Sequence, residues 1–247
     1  MNLSMNTIRR HWLAAVLPLG LALVSCGDDE PEPTPVVPDQ GRVMMVHAAA
    51  NANVGLKFLV DDAEKAQLTY GQNSAYQNVQ TGSRVFKVNV AASGSNTATV
   101  TSTIEKDKSY SLYAYAPGTG SIVNGLLVND DLTAPAANMA KIRVVHLAQS
   151  APSPVKLTQV NAVGSTDLIT NIAFGTASSY LSINAGTYNL AIAAGNPSIT
   201  VLTVGDGTGS GTGSKNYVAG KIYTVLVRGI SNVDVNLQPK AVIIENN

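Results

Sequence analysis

Two stretches of this chain carry the same residues in the same order, and that recurrence limits the fold more than any other feature. Val46-His47 in the first matches Val145-His146 in the second, and Leu56-Lys57-Phe58 matches Val155-Lys156-Leu157 at the same offset. Tyr70-Gly71 followed by Ser74-Ala75-Tyr76 matches Phe174-Gly175 followed by Ser178-Ser179-Tyr180. Gly82 and Gly186 each precede a strand tract, and Lys108-Ser109-Tyr110 matches Lys221-Ile222-Tyr223. The offset grows in steps, as loop insertions produce. The expectation is a tandem duplication with units over 42–139 and 140–247. Each unit has about a hundred residues, a sufficient size for one β core.

The local pattern is strand after strand, with no helical period. Val43-Met44-Met45-Val46 opens the first unit and Ile142-Arg143-Val144-Val145 the second. Phe86, Val88 and Val90 fall on one face of a strand, with Lys87 and Asn89 on the other; Tyr188, Leu190 and Ile192 repeat the pattern. Ile222, Thr224 and Leu226 alternate with Tyr223, Val225 and Val227, which reads as a strand covered on both faces. Many short strands separated by turn residues predict an all-β chain of two tandem β-sandwich modules, Ig-like or similar. Asp130-Asp131-Leu132-Thr133-Ala134-Pro135 reads as the linker between them.

The amino-terminal stretch is of another kind. Arg9 and Arg10 form a positive segment, and Trp12 through Val24 an apolar one of signal-peptide length, too short to span a bilayer comfortably. Leu23-Val24-Ser25-Cys26 then resembles the lipobox of bacterial lipoprotein signals, with cleavage between Ser25 and Cys26 and lipid on the Cys26 thiol. Cys26 is the only cysteine, so no disulfide within the chain competes for it. Two or three acyl chains on one residue make a stable anchor where a single chain is marginal. Arg9-Arg10-His11-Trp12-Leu13 partly resembles a twin-arginine signal, but Ile8 fits poorly before the pair. Residues 1–25 are thus read as the signal peptide and 26–41 as a tether. Gly27-Asp28-Asp29-Glu30 is similar to the surface-export signal of Bacteroidota lipoproteins, and the prolines through Pro38 favour an extended spacer. The implied address is the outer membrane, surface-exposed, with a periplasm-facing orientation as the alternative.

Charge excludes one class of partner. Without residues 1–25 the chain carries 14 basic and 16 acidic residues, a balance of −2, so no basic footprint for nucleic acid is expected.

Several residues invite a chemical reading. His47 and His146 stand at the same place in both units, where a ligand contact competes with a bond from the ring to the following turn. One histidine per unit, with no second ligand nearby in sequence, makes a poor zinc set, and no metal or cofactor is expected. Gly205-Asp206-Gly207-Thr208-Gly209-Ser210-Gly211-Thr212-Gly213 lacks the Gly-Lys-Ser/Thr of a phosphate loop and reads as a long loop between strands. Asp61, Asp62 and Glu64 match no calcium-loop spacing and read as a solvated hairpin tip. Tyr113 and Tyr115 share one strand face and Tyr110 takes the other; an exposed pair would stack on sugars, a covered pair would fill the sheet. No nucleophile elbow is present, so no catalytic residue is assigned.

The repeats resemble the bacterial domain-of-unknown-function family numbered 4397. The second unit carries the resemblance best, in Arg143-Val144-Val145-His146-Leu147-Ala148-Gln149-Ser150-Ala151-Pro152, Phe174-Gly175-Thr176, Tyr180-Leu181-Ser182 and Ala185-Gly186-Thr187-Tyr188. The first departs after His47, where Ala48-Ala49-Ala50-Asn51-Ala52 lacks the proline. The resemblance implies tandem all-β modules and carries over no catalytic residue. The expected function is a non-enzymatic envelope lipoprotein that binds or makes structural contacts, with a glycan or a protein as partner. The alternatives are a carbohydrate-binding surface lipoprotein and an envelope hydrolase.

Overall fold

The computed structural model describes residues 38–118, 120, 122–205, 213–231 and 234–247, and these form one unit that begins at Pro38. Ser25, Cys26 and the tether before Pro38 lie outside the described residues, as does the middle of the glycine-rich stretch, 206–212. Among the described residues there is no helix.

The first module holds eight strands. They are β1 (Gln40–Ala48), β2 (Leu56–Val60), β3 (Ala63–Leu68), β4 (Gln77–Gln80), β5 (Gly82–Val90), β6 (Asn96–Ile104), β7 (Ser109–Tyr115) and β8 (Asn124–Asp130). The second holds β9 (Met139–Ala148), β10 (Val155–Asn161), β11 (Gly164–Ile172), β12 (Thr176–Ala177), β13 (Leu181–Asn184), β14 (Gly186–Ala194), β15 (Ile199–Thr203), β16 (Ser214–Tyr217), β17 (Ile222–Gly229) and β18 (Lys240–Glu245). One sheet of the first module runs β4-β1-β7-β8 and the other β3-β2-β5-β6. The same order recurs in the second as β12-β9-β17-β18, with β13 also on β9, and β11-β10-β14-β15, with β16 also on β14. In both, the first strand pairs in parallel with the next-to-last, β1 with β7 and β9 with β17.

The recurrence extends to single hydrogen bonds. Gly71 N–H donates to His47 O at 2.9 Å, and Gly175 N–H to His146 O at 2.8 Å. Ser74 Oγ accepts from Met45 N–H at 3.0 Å, and Ser178 Oγ from Val144 N–H at 3.0 Å. The Tyr110 hydroxyl accepts from Glu105 N–H at 3.2 Å, and the Tyr223 hydroxyl from Val218 N–H at 3.1 Å. The residues that match in sequence are those that tie each strand to its next turn.

Alternation along the strands sorts side chains into separate cores. Val43, Met45, Leu112 and Ala114 of one sheet meet Leu56, Phe58, Phe86 and Val88 of the other inside the first module. Ile142, Val144, Val225 and Val227 meet Leu157, Leu190 and Ile192 inside the second. The intervening residues of the same strands build a third core. Met44, Val46, Ala48 and Tyr113 of the first module pack against Val145, Leu147, Leu226 and Ile244 of the second. Each large apolar side chain buried there contributes roughly 1.5–3 kcal/mol, so the contact between modules is as much a core as those within them.

Three boundaries differ from the sequence reading. Gln40 and Gly41, assigned to the tether, pair with Gln80 and Val79 as part of β1. Met139, assigned to the first unit, pairs with Asn184 and opens β9. Asp130, assigned to the linker, is the last residue of β8 and is 3% exposed.

Candidate functional site

The polar side chains with most chemical potential lie where the two modules meet. Asp130 and Arg143 form an ion pair there, Nη2 to Oδ1 at 2.5 Å, with side chains 0% and 1% exposed. Taking both charges out of water is costly, and further hydrogen bonds offset that cost. The Tyr76 and Ser111 hydroxyls each donate to Asp130 Oδ2 at 2.6 Å. Arg143 Nε donates to Thr224 Oγ1 at 3.0 Å, Nη1 to the Asn129 carbonyl at 3.1 Å, and Nη2 to the Tyr113 hydroxyl at 3.3 Å. Thr224 in turn donates to Asn246 Oδ1 at 2.8 Å, and Asn246 Nδ2 to the Tyr76 hydroxyl at 3.2 Å. The guanidinium lies over the Tyr180 ring, 4.7 Å from its centroid.

One bond of this arrangement recurs in both modules. Ser111 on β7 bonds Asp130 at the end of β8, and Thr224 on β17 bonds Asn246 just past β18. Burial pushes the Tyr76 and Tyr180 phenols far above their ordinary range, and Asp130 adds to the effect. Burial also raises the Tyr113 phenol, against the opposing pull of Arg143.

A cleft of about 800 Å³ opens above the pair, rimmed by Arg42, Lys108, Asp131 and Thr133. Arg42 is engaged, its Nε donating to Ser109 Oγ at 2.8 Å. Lys141 binds Asp131 at 2.8 Å and, with Thr133, draws that carboxyl down to about 2. No histidine or cysteine lines the cleft among the described residues, and of its three acids Asp130 and Asp131 face cations while Asp107 is in no ion pair among the described residues.

His47 and His146 stand apart from this cleft. Both are buried. The ring of His47 lies 3.0 Å from the Val54 carbonyl through Nε2, and its Nδ1 accepts from Ala49 N–H at 3.3 Å. Those partners assign the proton to Nε2, which donates. His146 Nε2 donates to the Pro152 carbonyl at 3.0 Å, and its Nδ1 is buried without a partner. Burial lowers both imidazoles below the ordinary histidine range, against the carbonyl bonds that raise them. Each ring meets an aromatic edge-on, Tyr70 at 5.9 Å and Phe174 at 5.8 Å. Both are neutral rings pinning the loop that follows the first strand of their module.

Tyr113 and Tyr115 do share a face, but it is the face between the modules. Tyr113 is 0% exposed, so the sugar-stacking role is closed to the pair. Tyr115 rests edge-on against Phe174 at 5.9 Å. Tyr110 points the other way, into the first module's core. Asp61 and Asp62 occupy a two-residue hairpin turn with φ of 48° and 66°. Each acid of that turn faces a cation, Asp61 with Arg84 at 2.8 Å, Asp62 with Lys87 at 2.6 Å and Glu64 with Lys57 at 3.0 Å. Among the described residues no group of three or more His, Cys, Asp or Glu side chains is placed to hold a metal ion. No helix there is long and apolar enough to cross a membrane.

Sequence reasoning missed Asp130, Arg143, Thr224, Asn246 and Arg228. The available signal was Ile222 through Val227, apolar on both faces. A strand buried on both sides in a two-sheet module must be covered by something outside that module.

Comparison with known proteins adds a family match over part of the chain. None of the curated proteins matches the chain. A crystal structure described as that of a candidate cell adhesion protein from Parabacteroides distasonis ATCC 8503 aligns with 85% of this chain and 100% of its own, at 7% identity and a TM-score of 0.23. A likeness of that score carries no argument about fold or function. The family match favours the first unit rather than the second: Arg143–Pro152 falls inside it and the tracts from Phe174 to Tyr188 fall outside. Residues 41–158, from the second residue of β1 into β10, match the family described as Domain of unknown function (DUF4397).

Proposed function

We propose that this chain is a lipid-anchored protein of the bacterial cell envelope, without enzymatic activity, in which two copies of one β module form a single stiff body for binding or structural contact. The observation that carries the reading is the Asp130–Arg143 junction. Polar side chains that could do chemistry are spent there on joining the modules, and both histidines are spent on holding turns. A body with a continuous third core resists bending between modules, which suits a contact element held off a surface. The matched strand order and hydrogen bonds favour duplication as the origin of the two modules. The leader, Cys26 and the proline-rich stretch after it support the anchor, with the outer membrane as address and a protein or glycan as partner.

Mass spectrometry of the protein purified from membranes tests the anchor. Wild type is expected to carry acyl mass on Cys26, and Cys26→Ala to lose that mass and leave the membrane fraction. Wild type without acyl mass overturns the anchor. Profiling against ester, peptide and glycoside substrates tests the rest: turnover abolished by His146→Ala would replace the binding role with an envelope hydrolase.

A further inference from the structure

The junction contains a second pair of related positions, and there the two halves differ. In the second module His146 meets Phe174 edge-on, and Tyr115 of the first module covers Phe174. In the first module His47 meets Tyr70 edge-on, and Arg228 of the second module covers Tyr70, its Cζ 4.4 Å from the ring centroid. Arg228 stands on β17 where Tyr115 stands on β7, five residues after the matched tyrosines Tyr223 and Tyr110. The glycines correspond as well. A Cβ at Gly175 would lie 3.5 Å from the Tyr115 hydroxyl, and one at Gly71 would lie 2.8 Å from Arg228 Nη2. Gly71 (φ +92°) therefore lets the guanidinium lie flat against the backbone.

One half shows that an aromatic pair is enough to close such a junction. The other half places a cation there, and no side chain among the described residues neutralises it. Arg42, Arg84 and Arg143 all donate from Nε to an oxygen, at 2.8, 3.2 and 3.0 Å. Arg228 buries Nε and Nη1 without any acceptor, and Tyr70 beneath it buries its hydroxyl without a partner. Among the described residues no carboxylate lies within ion-pair distance of Arg228. Arg228 is half-buried, and donors of its guanidinium that are covered without an acceptor are penalised; acceptor oxygens relieve that penalty best. Arg228 also lines a cleft of about 260 Å³ with Gly71, Asn73, Leu226 and Ile244, so a small solute can reach it. The planar guanidinium fork suits the oxygens of a carboxylate or phosphate, which it can bind through two parallel bonds.

We infer that the Arg228 cleft is a binding site for a small oxyanion, a carboxylate or a phosphate group, present in one half of the junction and not in the other. The apolar floor of Leu226 and Ile244 excludes water from one side of the guanidinium, which strengthens its attraction for an anion.

The test is thermal unfolding of the full chain at low ionic strength, titrated with inorganic phosphate in one arm and acetate in the other. Sodium chloride at matched ionic strength is the control. A site that binds the folded state raises the unfolding midpoint in proportion to the logarithm of anion concentration above its Kd. At least one arm is expected to do so beyond the chloride control, and the arm that responds identifies the source chemistry. Arg228→Tyr copies the residue at the matched position of the first module; it is expected to fold and to lose the response. Arg228→Lys keeps the charge without the fork and is expected to shift the response to at least tenfold higher anion concentration. A parallel ¹⁵N titration of wild type follows the Arg228 Nε–H resonance, which is expected to move with the same anion. No rise beyond chloride in either arm, an equal rise in Arg228→Tyr, or an unmoved Nε–H resonance overturns the site.

Discussion

Asp130→Asn is the most informative single change to the junction. Asparagine keeps the volume of aspartate, and its carbonyl can still accept from Tyr76 and Ser111, which now donate to Oδ2 at 2.6 Å. What disappears is the negative charge opposite Arg143, in a place where the two side chains are 0% and 1% exposed. Removing one partner of a buried ion pair costs about 3–5 kcal/mol, because the survivor stays buried and uncompensated. For a body of this size 1 kcal/mol moves the midpoint by about 2–4 °C, so the expected fall is roughly 6–20 °C. Equilibrium urea unfolding with two probes, one on each module, measures the loss directly. Both probes are expected to shift together, since the third core joins the modules. The companion change Arg143→Met removes the orphaned charge, so the double variant is expected to be more stable than the sum of the single losses predicts. A loss below about 1 kcal/mol for Asp130→Asn, the range of exposed pairs, would refute the reasoning. Strict additivity of the two changes would refute it as well.

The buried histidines set a pH dependence. Burial holds both imidazoles below 6.5 in the folded state, so below pH 6.5 the unfolded chain binds protons first. Stability from this source is full above pH 6.5 and falls as pH drops toward the folded values, by at most about 1.4 kcal/mol per pH unit for each ring. Urea midpoints measured from pH 7.5 to 5 check the slope, and His47→Ala with His146→Ala is expected to flatten it. Substituting Gly41→Ala puts a Cβ 2.7 Å from the Glu105 carbonyl and from Ile104 Cγ2, an overpacked contact expected to cost about 1–3 kcal/mol in the same unfolding assay. Arg84→Met removes an ion pair whose arginine side chain is 26% exposed, and is expected to change stability by less than about 1 kcal/mol.

Much of the scaffold was legible because it obeys short-range rules. Period-2 alternation located Phe86, Val88, Leu190 and Ile192 on core faces, and the repeated glycines and serines marked the turns. Alternation also placed Tyr113 and Tyr115 on one face. It could not say what covers that face, because the cover comes from β9, β17 and β18, far along the chain. Asp130 shows the same limit. Beside Asp131 and before a proline it has the local character of a linker, and only the stacking of two sheets places Arg143 against it. Arg228 sits in a tract of apolar β residues, where one cation reads as a solvated strand end. Its partial burial is set by Tyr70 and Gly71 of the other module. The boundary errors at Gln40, Gly41 and Met139 have another cause. Strands begin where a partner strand begins, and the partners β4 and β13 are only four residues long.

The parallel pairing of β1 with β7 has a mechanical consequence. The chain enters the first module at β1, an interior strand with β4 on one side and β7 on the other. A pull on the chain ahead of Gln40, along the strand, loads the bonds from Arg42–Ser109 through Ala48–Tyr115 together, in shear. They cannot open one at a time, as they would in a hairpin peeled from its end. Tension entering there is shared across seven residue pairs, and the junction behind β1 passes it to β9 and β17, where a second parallel pair lies in the same arrangement.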